Sequence, residues 1–199
     1  MTTTGWRAPK SRRKVNWPRL IGVVTTTIML AGGLAYAALQ SQPAKLTGNT
    51  ISTATTGLVI SLDANNFSNT LSGSSFSGLI PGGSAVSSPS GTVFLRNTGD
   101  TPMSLKLAVT STPSNPAGVD FSKVNVILTS TSGNPQSFTL QALVNAASSG
   151  GLAITDPSLI FSGNTVQLNI KVSMAADAFA GSSATIGNVD FAFTGLASN

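Results

Sequence analysis

Aspartate is the only acidic residue of this chain: six stand among 199 residues, with no glutamate, no histidine and no cysteine. That inventory bounds the chemistry. A Ser-His-Asp or Cys-His site needs an imidazole base, and the usual zinc sites draw on His, Cys and carboxylates, so neither has its parts. A carboxylate pair of the glycosidase or aspartic-protease kind is what six aspartates could supply. Their settings point elsewhere. Thr98-Gly99-Asp100-Thr101 does not have the Asp-Thr-Gly order of an aspartic protease, and aspartate is a common turn residue. Asp63-Ala64-Asn65-Asn66 sets oxygen ligands near the spacing of a calcium loop but lacks that loop's Gly and distal Glu, and reads as a polar turn after a strand. No catalytic residue, metal ligand or cofactor is assigned, and the chain is not expected to be an enzyme.

The other chemistry written in the sequence is proteolytic processing of the chain itself. Six of the eleven Lys and Arg residues (Arg7, Lys10, Arg12, Arg13, Lys14, Arg19) precede an apolar run from Leu20 to Leu34. Ala35-Tyr36-Ala37 follows, with small residues three and one places before a scissile bond to Ala38, the layout of a secretory signal peptide. Residues 1–37 are therefore expected to be a signal peptide, removed by a signal peptidase, and the remainder to be secreted, extracellular or at the cell surface. The alternative is an uncleaved anchor over 20–39, long enough to span a bilayer but weakened by Gly32-Gly33. A twin-arginine signal fits less well, because Asn16, Trp17 and Pro18 interrupt the apolar residues expected after Arg12-Arg13.

Removal of 1–37 changes the charge. The whole chain carries +5, but residues 38–199 hold five basic residues (Lys45, Arg96, Lys106, Lys123, Lys171) against six aspartates, a balance of −1. A nucleic-acid partner is not expected, since the basic excess belongs to the export signal. Contact with the membrane is expected only through that segment before cleavage.

The elements that must position any surface come from period-two alternation. Met103, Leu105, Leu107 and Val109 alternate with Ser104, Lys106, Ala108 and Thr110, and Val166, Leu168, Ile170 and Val172 repeat the pattern. Each predicts a strand with one buried and one wet face. Shorter copies lie at 58–62, 92–96, 124–128 and 189–193, separated by turns such as Pro81-Gly82-Gly83 and Gly133-Asn134-Pro135. The fold class is therefore all-β, an antiparallel β-sandwich over residues 57–199, which the resemblance given below makes jelly-roll-like. One short helix is expected between Phe138 and Ala147, where Leu140, Leu143, Val144 and Ala147 fall at helical spacing, ending near Gly150-Gly151. Asp63–Pro89 reads as a long loop carrying Phe67 and Phe76. Residues 38–56 are polar with scattered apolar residues; Leu46 and Ile51, five apart, would face opposite sides of one strand. The segment reads as an N-terminal arm without a firm place in its own sheet.

Ile80-Pro81-Gly82-Gly83-Ser84, Gly91-Thr92-Val93-Phe94-Leu95-Arg96-Asn97-Thr98-Gly99-Asp100-Thr101-Pro102 and Leu105-Lys106-Leu107 together resemble the TasA/camelysin family of secreted bacterial matrix proteins. There a Pro-Gly turn leads into a strand ending in Asn-Thr-Gly, followed by an alternating strand. Gly32–Ala37, Thr56–Leu62 and Gly181–Phe193 are also similar. The resemblance implies a jelly-roll domain, processing by a specialised signal peptidase, and self-assembly into extracellular fibres of the biofilm matrix. It implies too that an N-terminal arm can complete the sheet of the next subunit; by position the arm is 38–56, with Leu39, Leu46 and Ile51 as its apolar residues. Pro43 would remove one ladder hydrogen bond from such a strand. The competing function is an adhesin-like binding module, secreted or at the cell surface, that does not polymerise.

Overall fold

The structure, a computed structural model, describes residues 44–53, 57–115, 118–131, 133–180 and 185–198. The alternating segments build it as expected. Strand β5 (Met103–Val109) buries Met103, Leu105, Leu107 and Val109, and β9 (Thr165–Met174) buries Leu168, Ile170, Val172 and Met174. Successive side chains of a pleated strand point to opposite faces, so each strand turns one apolar row inward.

Among the described residues eleven strands form two sheets, an all-β sandwich with one short helix. Sheet B runs β2 (Leu58–Ser61), β4 (Val86–Asn97), β9, β6 (Val124–Ser130), β7 (Gln136–Thr139), antiparallel throughout. Sheet A begins with β3 (Thr70–Leu79) paired to β1 (Ala44–Thr53). The other edge of β1 meets β10 (Thr185–Gly187) and then β11 (Asp190–Ala197), and β11 pairs with β5, which pairs with β8 (Leu152–Ile154). The β1 ladders with β10 and β11 are parallel, a departure from the purely antiparallel sandwich read in the sequence. Strands joined by a short hairpin must run antiparallel, whereas nearly the whole domain separates β1 from β11 and leaves their direction free.

The inner faces meet in one core in which Leu107 and Leu168 are fully buried, with Phe76, Phe191 and Phe193 the largest residues enclosed. Phe76 and Phe191 pack edge to face, with centroids 6.5 Å apart and planes at 81°. This is the favoured geometry for two ring quadrupoles. The long loop expected over Asp63–Pro89 is corrected: β3 and the start of β4 lie within it, and Phe76 belongs to the core. Its Ser and Gly content hides the strand, because the apolar residues Leu71, Phe76 and Leu79 do not alternate.

Helix α1 (Leu140–Asn145) is shorter than the expected 138–147, since Phe138 ends in β7 and a 3-10 turn (Ala146–Ser149) follows. Thr139 is extended and its Oγ1 accepts from Ala142 N–H at 3.1 Å, capping the helix. Gly150 closes the 3-10 turn at φ 78°, a left-handed conformation that glycine adopts without steric cost.

The Asn-Thr-Gly turn after β4 is held from inside. Asn97 is fully buried, and its Nδ2 donates to the carbonyls of Thr101 (2.7 Å) and Ile160 (3.0 Å) while Oδ1 accepts from Gly99 N–H (2.8 Å). Thr98 donates from N–H (2.6 Å) and from Oγ1 (3.0 Å) to the Gly57 carbonyl at the entry to β2. The motif is thus a structural clasp between strand ends.

Candidate assembly strand

The residues placed in a free arm are, from Ala44 to Thr53, an interior strand of sheet A. Over 44–53 that corrects the reading of 38–56 as an arm without a firm place in its own sheet; residues 38–43 and 54–56 lie outside the described residues. On one side Leu46, Ile51 and Ser52 stand opposite Phe76, Leu71 and Thr70 of β3; on the other Leu46 and Ile51 stand opposite Ile186 and Phe191. Ile51 is only 1% exposed and belongs to the core.

The five-residue spacing of Leu46 and Ile51 has a structural counterpart. Their register partners are also five apart on each neighbour, Phe76 and Leu71 on β3 and Ile186 and Phe191 on the C-terminal strands. Phe76, Ile186 and Phe191 are all buried. Alternation breaks between β10 and β11, where Asn188 takes φ 54°, and the β1–β3 ladder shifts register several times over the same stretch. Three adjacent strands therefore share one irregularity, which a test for strict period two cannot see.

Backbone groups carry much of what holds β1. Besides the ladders, Thr50 N–H donates to Asp190 Oδ1 at 2.9 Å, and Thr53 donates from N–H (2.8 Å) and Oγ1 (3.3 Å) to the Asn69 carbonyl. The ladder bonds and the Thr53 N–H bond are backbone to backbone and indifferent to most side chains, and a strand held this way can come from the same chain or from another. Residues 54–57 link β1 in sheet A to β2 in sheet B. The cleavage residues Ala35, Ala37 and Ala38, the arm residue Leu39 and Pro43 lie outside the described residues.

The charged side chains make turns and ties. Asp63 accepts from Ser61 Oγ (2.7 Å), from Asn65 N–H (2.9 Å), and from Asn66 N–H and Nδ2 (2.8 and 2.7 Å). The Asn66 N–H, then the Ser61 hydroxyl and the remaining donors hold this exposed carboxyl well below the usual carboxylate range. Its oxygens are thus engaged within the turn that the sequence suggests. Lys123 Nζ lies 2.6 Å from Asp177 Oδ2 and 4.0 Å from Asp120 Oδ2, joining the entry of β6 to the segment after β9. The bond raises the Lys123 pKa and lowers that of Asp177, while Asp120 is lowered chiefly by the Ser122 hydroxyl. Phe67, half-buried, covers the Arg96 guanidinium with Cζ 4.1 Å from the ring centroid. Among the described residues no group of three or more carboxylates could hold a metal ion.

Comparison with known proteins finds no family model and no curated protein that matches this chain.

Proposed function

We propose that the chain is a secreted, non-enzymatic structural subunit that assembles with copies of itself into extracellular fibres of the biofilm-matrix kind, by passing β1 to a neighbouring subunit. The observation that carries the reading is the place of β1. It is the first strand of the domain, it fills an interior slot between β3 and the C-terminal strands, and few residues tie it to β2. A copy of β1 from another chain would make the same ladders in that slot. Exchange of an identical element costs little and propagates head to tail when each subunit gives one strand and receives one. Signal-peptidase cleavage after Ala37 would leave residues 38–43 ahead of the strand. The absence of His, Cys and Glu from residues 38–199 and the resemblance in the Pro-Gly and Asn-Thr-Gly segments support the same reading.

A reversible lock on β1 tests it. Ser52 and Thr70 are directly opposed in the antiparallel β1–β3 ladder, so their side chains share a face. Ser52→Cys with Thr70→Cys places a disulfide in a chain that has no other cysteine. Electron microscopy across a concentration series should show filaments of the unmodified protein, none of the oxidised double variant, and filaments again after reduction. Filaments from the oxidised monomer would move assembly to another surface. An unmodified protein that stays monomeric at every concentration favours the non-polymerising binding module.

A further inference from the structure

Among the described residues four large apolar side chains stand exposed: Leu62, Ile80, Phe161 and Leu196. Two of them share one end of sheet A. Leu196, 43% exposed, is opposite Ser104 of β5, and the other edge of β5 meets Ile160 through reciprocal backbone bonds with Met103 (2.9 and 2.7 Å). Ile160 is buried, whereas Phe161, the next residue, is 57% exposed. Successive side chains of an extended segment point to opposite faces, so Phe161 lies outward beside Pro102, on the face that also carries Leu196.

The same end of the sandwich holds both ends of the connection from β1 to β2. Strand β1 finishes at Thr53, opposite Phe193 of β11, and Leu196 lies three residues further along β11, about 10 Å. Strand β2 begins at Leu58, and Gly57 before it is closely packed: a Cβ there would stand 3.1 Å from Gly99 N and 3.3 Å from Met103 Cε. The Gly57 carbonyl accepts from Thr98 N–H at 2.6 Å. The entry to β2 is thus fixed beside Met103, and through it beside Ile160 and Phe161.

This placement limits how two copies can share β1. Thr53 and Leu58 are five residues apart in the chain, so they can be separated by at most about 17 Å. When β1 of one copy fills the slot of another, the donor's β2 must begin within that reach of the acceptor's Thr53. The donor's end around Phe161 is thereby drawn against the acceptor's end around Leu196.

We propose that Phe161 and Leu196 form an apolar contact between successive subunits, so that the partner of this surface is a second copy of the chain. The contact rests on the exchange of β1 proposed above and adds to it a surface outside the slot. A short tether holds the two ends at a high effective concentration, so a small apolar patch suffices. Ile80 provides the contrast. It is as exposed as Leu196, but it follows Leu79, which stands opposite Ala44 at the far end of β1, about 30 Å of strand from Thr53.

Two measurements on the full secreted chain test the contact. Mixing Ser52→Cys chains with Thr70→Cys chains under oxidising conditions should give a disulfide between the two different chains, which reports exchange of β1 by itself. The double variant Phe161→Ser, Leu196→Ser should then raise the concentration at which filaments appear about tenfold, because two apolar side chains no longer leave water on assembly. Ile80→Ser should leave that concentration unchanged, and melting curves of the monomers show that both variants are folded. If the interchain disulfide forms and the double variant assembles at the concentration of the unmodified chain, β1 is exchanged but this contact is not made. An equal rise in Ile80→Ser also overturns the contact, since any exposed apolar residue would then serve. If no disulfide between chains forms at any concentration, the exchange of β1 fails and the contact fails with it.

Discussion

Asp63 shows what the acidic side chains of this protein do. Its oxygens gather the hydroxyl of Ser61, the N–H groups of Asn65 and Asn66 and the Asn66 amide, closing the turn that leaves β2. Those bonds favour the charged form, so the folded-state pKa lies below the unfolded one. The contribution is therefore complete above the ordinary aspartate value of about 3.9 and is lost as pH falls through the lower, folded value. Carboxyl carbon shifts followed by NMR should place the Asp63 midpoint below the usual range, and Ser61→Ala should raise it. Protection of the Asn65 and Asn66 amides should fade over the same acid window. A midpoint at the ordinary value would show that the turn is held by something else.

At the scale of elements, the strand faces are the testable quantity. Leu107 and Leu168 are fully buried in mid-strand, so Leu→Ala at either should cost roughly 2–5 kcal/mol through lost burial and the cavity left behind. Their outward neighbours Lys106 and Gln167 should accept Ala within about 0.5 kcal/mol. Denaturant melts that rank the outward pair as the costlier would refute the register. Strand β1 gives a sharper contrast. A free arm could be deleted with little effect on the fold, but β1 supplies the buried Ile51 and covers edges of β3, β10 and β11. Deleting residues 38–53 should therefore lower the melting temperature, and a synthetic peptide of residues 44–53 added in trans should restore it. A truncated protein that melts like the intact one would mean that the slot closes on itself.

At the scale of the molecule, the proposed function would link export and assembly through the N-terminus. Cleavage between Ala37 and Ala38 removes Trp6, Trp17 and Tyr36, which are both tryptophans and the single tyrosine of the chain. Intact-mass measurement of secreted material should give a chain that begins at Ala38, with almost no absorbance in the Trp/Tyr band. A mass that includes residues 1–37 would identify an uncleaved anchor and leave the start of β1 tethered at a membrane.

Local period decided much of the sandwich. Met103–Val109 and Val166–Val172 alternate because each strand buries one face and wets the other, and that pattern is complete within a few residues. The helix is nearly as local: Leu140 and Leu143 are buried, Thr139 caps the start and Gly150 ends the 3-10 turn that follows. Asn97-Thr98-Gly99 is legible as a turn, but the bond from Asn97 to Ile160 joins residues 63 apart and exists only in the fold. The candidate site was the least legible part. Residues 38–56 could be singled out as unusual, yet the place of β1 depends on β3, β10 and β11, whose register partners repeat the five-residue spacing of Leu46 and Ile51. Such a spacing has no local meaning. Only the register with strands distant in sequence gives it one, so composition and alternation supplied the class of the sandwich while the tertiary structure decided which strand fills the slot between β3 and the C-terminal strands.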